Sequence, residues 1–277
     1  MGVGNFGWHI LKKLSERRGK LGSTLMIGNQ TDYRIFKSNI NYGKPIKNIM
    51  IEENLSTEVD VADISSYEKA NIVLDLSMPH KIEQKFNTLI DYGTIEHVFD
   101  SKQCIYNYFS LIEVGGNLVL ATPCNNYAGH GFFQFSPEFF YNSLSYKGLF
   151  KNIECYLVES PISLTYSKPK AWKVKSPQDV KSRINIRTNF PINILVTAER
   201  TDIKLPKYYD FNPIQSDYIK NLKNNKSSHK KDNKETNKLR KFIKNFLPKF
   251  LIKQYLNINA NRKASLNYKP HFTKYNY

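Results

Sequence analysis

Cysteine is scarce in this chain: Cys104, Cys124 and Cys155 are the only three in 277 residues, an odd number with no C-x-x-C pair. That usage excludes a disulfide framework and a thiolate zinc site, so the three are read as reduced thiols. Long apolar runs are missing too. No stretch approaches the roughly 18 residues needed to span a bilayer, and the N-terminus lacks the continuous apolar region of a secretory signal, so a cytoplasmic protein is expected. Acidic residues are few, 24 against 41 Lys and Arg, leaving a net charge of +17. Such a charge points to nucleic acid or a membrane surface until its placement is considered. Residues 218–277 hold sixteen Lys and Arg against Asp232 and Glu235, a balance of +14 that leaves only +3 for residues 1–217. The body of the chain is nearly neutral, and its basicity belongs to a tail.

With 40% hydrophobic residues, the chain can bury one substantial core or one core with a small appendage. Its opening, MGVGNFGWHI, spells G-x-G-x-x-G with Gly2, Gly4 and Gly7. A dinucleotide fingerprint needs a strand before the glycine turn, and only Met1 precedes it, so residues 1–22 are read as a helical segment built on His9, Ile10, Leu11 and Leu14.

The first strand is expected over Ser23–Gly28, short, apolar and closed by Gly-Asn. Further strands are read near Ile46–Ile51, with Val59–Ile64 ending or extending it, then at Asn71–Leu76, Phe86–Asp91 and Asn117–Thr122. Helical spacing occupies Cys104–Ile112. Ser136-Pro137-Glu138 reads as the capped start of another helix, and Ile153–Val158 and Pro191–Ala198 as late strands forming an antiparallel pair. Strands alternating with helices imply an α/β layer structure with a mainly parallel sheet, whose ligands gather outside the C-terminal strand ends.

Polar residues cluster at those ends. Gly28 closes the first strand, Asp75 the third and Asp91 the fourth, and Pro123-Cys124-Asn125-Asn126 follow the fifth. DYGTIEHVFD adds Glu96 and His97, and NNYAGHGFFQFSP adds His130 and Gln134. Each has a plain structural alternative: a turn cap for Asp91, a satisfied interior histidine for His97, core packing for the phenylalanines.

Taken together, FNTLIDYGTIEHVF, LIEVGGNLVLATP, DISSYEKANIVLDLSMP and the H-G-F-x-Q-F-S-P segment resemble class I S-adenosylmethionine-dependent methyltransferases of the bacterial methyltransferase-domain type, over about Thr24 to Phe140. The resemblance implies a Rossmann-like fold with a mixed, mainly parallel seven-stranded sheet flanked by helices, spanning residues 23–203. It also implies S-adenosyl-L-methionine as cofactor, with Gly28 and Asn29 at its methionyl part, Asp63 on the ribose hydroxyls ahead of Glu52 or Glu53, and Asp75 with Leu76 at the adenine. Asp91 completes that set. Where the family's loop after the first strand is G-x-G, this chain has only Gly28, beside Asn29 and Gln30.

Methyl transfer to a hydroxyl or amine needs an oriented nucleophile and a proton acceptor. His97 and His130 are the candidate bases, because imidazole titrates near neutral pH, with Asp91 and Glu96 as orienting partners. Asn125, Asn126 and Gln134 are candidate binders of a small-molecule or sugar-containing acceptor. No metal site is expected, since the spacing of these residues matches none of the usual ones.

Residues 204–237 read as a linker, Lys- and Asn-rich from Lys220, and residues 238–277 as a basic amphipathic segment in which Leu239, Phe242, Ile243, Phe246 and Leu247 recur at helical spacing before Pro248. That segment suits an anionic membrane surface, a protein partner, or docking onto the domain itself. Two alternatives to a small-molecule methyltransferase stay open: an RNA methyltransferase using the tail, and a non-catalytic Rossmann-like module.

Overall fold

The structure, a computed structural model, describes residues 2–34, 40–160, 169–218 and 249–277. In chain order come β1 (Gly2–Val3), α1 (Asn5–Arg18), β2 (Ser23–Ile27), β3 (Thr31–Asp32), α2 (Ile46–Glu52), β4 (Glu58–Asp63), β5 (Ile72–Val73) and β6 (Phe86–Tyr92). There follow α3 (Ser101–Leu111), β7 (Ile112–Asn125), α4 (Pro137–Leu144), β8 (Phe150–Glu159), β9 (Ala171–Val174), α5 (Pro177–Val180), β10 (Ile192–Arg200), α6 (Lys249–Ala264) and β11 (Phe272–Tyr275).

Nine strands form one sheet in the order β11-β9-β8-β10-β7-β6-β2-β4-β5. The run from β5 to β7 is parallel, whereas β10 lies antiparallel between β7 and β8, and β9 and β11 continue antiparallel beyond. The fold is thus the Rossmann-like, mixed arrangement expected, with two strands more than the seven expected. Period-two alternation assigns the faces. Leu25, Ile27, Leu89, Leu118 and Leu120 enter the core beneath α3 and α4, while Met26, Ile90 and Val119 enter the one beneath α1 and α2. Among the described residues no helix is long and apolar enough to cross a membrane.

Local chemistry explains where the elements depart from expectation. Ile46–Ile51, read as a strand, is α2: Ile46, Ile49 and Met50 are its buried residues, an i, i+3, i+4 stripe that suits a helix packed on one side. The third strand shrinks to Ile72–Val73, because Asp75 leaves the sheet for a turn in which its Oδ1 accepts from the N–H and hydroxyl of Ser77. α4 begins as expected, with Ser136 capping ahead of Pro137, whereas α3 begins at Ser101, three residues before the expected Cys104, because Asp100 accepts from Gln103 N at 2.9 Å, and it gives way to β7 at Ile112.

At the N-terminus, Gly2–Val3 itself forms the strand that pairs with Thr31–Asp32. Gly7 serves close packing: a Cβ there would stand 2.6 Å from the Tyr92 ring, whose hydroxyl donates to the Gly7 carbonyl at 3.1 Å. Gly7→Ala is expected to lower the unfolding free energy by about 1–3 kcal/mol, overpacking outweighing the better helix propensity of alanine. Urea unfolding of the two proteins checks this, and a stabilised variant would contradict it.

Of the linker expected over 204–237, residues 204–218 instead pack on the domain, with Phe211 buried against Phe109 of α3, and the rest, with the amphipathic stretch Leu239–Pro248, lies outside the described residues. The last part of the basic segment does not stand apart. β11 joins the sheet, His271 and Phe272 are buried, and Tyr275 and Tyr277 pack edge-on against Phe6 of α1.

Candidate functional site

The sheet reverses its direction of growth between β2 and β6: from β2 the chain builds outward through β4 to β5, from β6 through β7 to the antiparallel half. A crevice opens at such a point because the connections leave on opposite sides. Ile27 pairs with Asp91 and Ala62 with Ile27, so Gly28, Asp63 and Asp91 end on neighbouring strands, and Asp75 lies beyond the next. Three strand spacings separate β6 from β5, a crevice edge of about 14 Å.

Gly28 leaves β2 with φ +69°, and its N–H donates to Ala62 O at 2.8 Å. Asn29 Nδ2 donates to Glu68 O at 3.0 Å and Gln30 Nε2 to Ile27 O at 2.7 Å, while the carbonyl oxygens of both side chains are buried without a hydrogen-bond partner. Buried acceptors left unmatched are costly and mark a place where a donor is wanted. Asp63, half-buried, takes Ile64 N on Oδ1 at 2.6 Å. Asp75 is exposed, and the Ser77 hydroxyl and N–H hold its carboxyl below the usual range. Leu76 is buried in the core. Glu53, the other acid considered for the ribose, is paired with Lys12 at 2.8 Å on the α1 side. Glu52 lies exposed at the end of α2.

On the other side of the switch point, Asp91 is fully buried and organises the turn that follows. Oδ1 accepts from Thr94 N at 2.8 Å, and Oδ2 from Ile95 N at 3.1 Å and from the Tyr108 hydroxyl at 2.9 Å. Burial, with the Glu96 carboxylate nearby, pushes Asp91 up to about 7. The turn it caps, Ile95–His97, delivers Glu96 inward and His97 outward. Glu96 is also fully buried and raised by that burial; Oε2 accepts from the Thr122 hydroxyl at 2.8 Å, and Oε1 has no hydrogen bond but faces His130 Nε2 at 3.5 Å. The rings of His97 and His130 stand 5.0 Å apart, and burial together with His130 lowers His97.

The segment carrying His130 is laid over this turn by backbone bonds. Phe132 N and Phe133 N both donate to Glu96 O, at 2.7 and 3.3 Å. Gly131 makes that approach possible, since it sits at φ +74° and a Cβ there would meet Glu96 O at 2.8 Å. In front lies a cavity of about 300 Å³ walled by Gly7, Tyr33, Tyr92, Glu96, Thr122 and His130.

The structure therefore brings Asp91, Glu96, His97 and His130 together and sets Gly28, Asn29, Asp63 and Asp75 at or just beyond the neighbouring ends of β2, β4 and β5, with Leu76 packed into the core. Asn125, Asn126 and Gln134 are engaged within the protein. Asn125 Nδ2 donates to Thr188 Oγ1 at 3.2 Å, Asn126 Nδ2 to the carbonyls of Thr188 and Phe190 at 2.8 and 3.0 Å, and Gln134 Oε1 accepts Tyr127 N at 2.8 Å. These bonds fix the loop that carries His130. Sequence reasoning missed Tyr108, Thr122 and the N-terminal wall. Thr122 was visible as the hydroxyl in the apolar run NLVLATP, and Tyr108 as the polar tip four residues after buried Cys104 on the inner stripe of α3.

No family model matches the sequence, and no curated protein matches it. Among solved structures, the chain is similar to a SAM-dependent methyltransferase from Archaeoglobus fulgidus at 13% identity, over 70% of this chain and 94% of that one, TM-score 0.42. It is also similar to the N-methyltransferase NodS from Bradyrhizobium japonicum, in complex with S-adenosyl-L-homocysteine, at 12% identity over 71% and 88%, TM-score 0.41. A third is the 1,6-didemethyltoxoflavin-N1-methyltransferase from Burkholderia thailandensis, at 12% identity over 69% and 76%, TM-score 0.39.

Proposed function

We propose that this chain is an S-adenosyl-L-methionine-dependent methyltransferase acting on a small-molecule or sugar-containing acceptor. The observation that carries the reading is the juxtaposition across β2 and β6: a crevice edged by Gly28, Asp63 and Asp75 on one side and a Glu96–His97–His130 group on the other, joined through buried Asp91.

The residues present fit that cofactor. The unmatched buried acceptors of Asn29 and Gln30 suit the donors of an amino-acid moiety, and the Asp63 carboxylate, at the end of β4, suits a pair of ribose hydroxyls. Asp75, exposed beyond β5, suits the amino group of an adenine, whereas Leu76 is packed into the core. Bound there, S-adenosyl-L-methionine supplies an electrophilic methyl carbon for in-line displacement. The protein's own work is to hold the acceptor in line and to favour its deprotonated form. Partial desolvation and the neighbouring His130 lower the His97 imidazole from its ordinary value, which favours the form with a lone pair to give. Asp91, by capping the Ile95–His97 turn, positions Glu96 and His97 toward the acceptor.

Calorimetric titration of the full chain with S-adenosyl-L-homocysteine is expected to show one site. Asp63→Ala should weaken it about 10- to 100-fold, the worth of a hydrogen-bonded carboxylate. Absence of binding heat in the parent chain would end the proposal.

A further inference from the structure

Glu96 and His97 are adjacent in sequence and His130 stands 33 residues beyond His97, yet one ligand atom from each lies within 4.8 Å of those of the other two. Glu96 is held by its partner: Oε2 takes the Thr122 hydroxyl, which turns Oε1 toward the imidazoles. That oxygen is buried and accepts no hydrogen bond, an expensive condition for a carboxylate that a positive charge beside it would relieve. The loop is brought over the turn by the Phe132 and Phe133 bonds to Glu96 O and by the fold of Gly131, so the grouping does not depend on the His130–Glu96 contact. Glu96 and His130 wall the cavity, with His97 beside them, so the remaining positions of a cation held by the three face that space.

We propose that Glu96 Oε1, His97 and His130 bind one divalent cation of the zinc, cobalt, iron or manganese class, with the acceptor oxygen as a further ligand. Nitrogen donors with a carboxylate suit these cations better than magnesium or calcium, which prefer all-oxygen sites. The Thr122 hydroxyl orients the carboxylate from behind.

The consequence for chemistry, which rests on the methyl-transfer reading, is a preference for hydroxyl over amine acceptors. With the cation in place, the imidazole lone pairs are donated to it, and the cation lowers the pKa of a bound hydroxyl. The O–H proton passes to solvent water, the O–C bond forms, and the C–S bond breaks with its electron pair remaining on sulfur.

The test uses full-length protein, freed of metal by chelator and titrated separately with zinc, cobalt and manganese chlorides by calorimetry, with the cobalt absorption spectrum as a second readout. One cation per chain is expected. His97→Ala and His130→Ala, both at exposed positions, should keep the fold while weakening binding at least about 100-fold and abolishing the cobalt bands, and Thr122→Val should weaken it about 10-fold. Equal affinity in the histidine variants, or no binding by the parent, overturns the inference. Homocysteine-product binding measured on the same samples separates the two readings: cation loss with that binding intact leaves the methyltransferase proposal standing, and the reverse result removes it while the cation site survives.

Discussion

Removing residues 271–277 is expected to cost this fold about 4–6 kcal/mol, enough to bring a protein of ordinary stability close to unfolding. The truncation takes away β11 and with it Phe272, which is 2% exposed, and it bares Val174, Trp172 and Ala171 on the neighbouring strand. It also removes Tyr275, which packs on Tyr156 and Phe6 and accepts from Lys13 at 2.9 Å, and Tyr277, whose hydroxyl donates to Pro169 O at 2.7 Å. Those contacts tie the edge of the sheet to α1, whose first turn walls the cavity. The conformational entropy lost in ordering these seven residues offsets part of what their contacts contribute, which is why the figure stays below the sum of the buried side chains. Urea unfolding gives the number. Phe272→Ala should account for about 3 kcal/mol of it. If the shortened chain unfolds at the same urea concentration as the parent, the terminal strand contributes nothing.

Why the sequence conceals this strand is physical. FTKY and AWKV are four-residue pieces without a long apolar run, and their partnership joins positions about a hundred residues apart across a basic stretch. Nothing local marks them. The central strands were legible for the opposite reason: TLMI, NTLID and LVLAT are buried on both faces, so apolar runs end at the polar residues that reach the strand ends. For α2 the isoleucines misled, since β-branched residues suit strands, and only the i, i+3, i+4 spacing of Ile46, Ile49 and Met50 speaks for the helix.

Legibility at the site divides in the same way. Asp91 was visible because a carboxylate in an otherwise apolar strand needs a reason, and EH followed by HGF placed three side chains of one chemistry at strand ends. What could not be read was who partners whom. Asn125 and Asn126 are of the residue types that bind hydroxyls, yet their amides reach Thr188 and Phe190, more than sixty residues away. Equally, the nearness of Glu96 Oε1 to two imidazoles depends on a loop crossing that only the backbone bonds to Glu96 O disclose.

Stability should fall as pH rises from 5 to 8, and Asp91 should account for about 2–3 kcal/mol of the loss. In the fold its carboxyl is raised from an ordinary 3.8 to about 7 by complete burial and by the Glu96 charge, against three hydrogen bonds that favour ionisation. Between those two values the native state keeps a proton that the unfolded chain has released. The stabilisation is therefore full at pH below 3.8, falls by about 1.4 kcal/mol per pH unit above it, and is gone as pH passes 7. Asp91→Asn removes the titration while keeping a neutral group of the same shape, to which Tyr108 can reorient. Its unfolding free energy should be nearly flat over the same range, apart from the smaller slope left by Glu96, which burial also raises. At pH 5 the variant should be the less stable protein, because an amide matches the Thr94 and Ile95 donors with only one oxygen. At pH 8 the gap should close or reverse, since only the parent must then bury a charge. Urea titrations of both proteins at the two pH values decide it: parallel changes would mean that Asp91 ionises in the fold as it does in water, and that its three donors outweigh its burial.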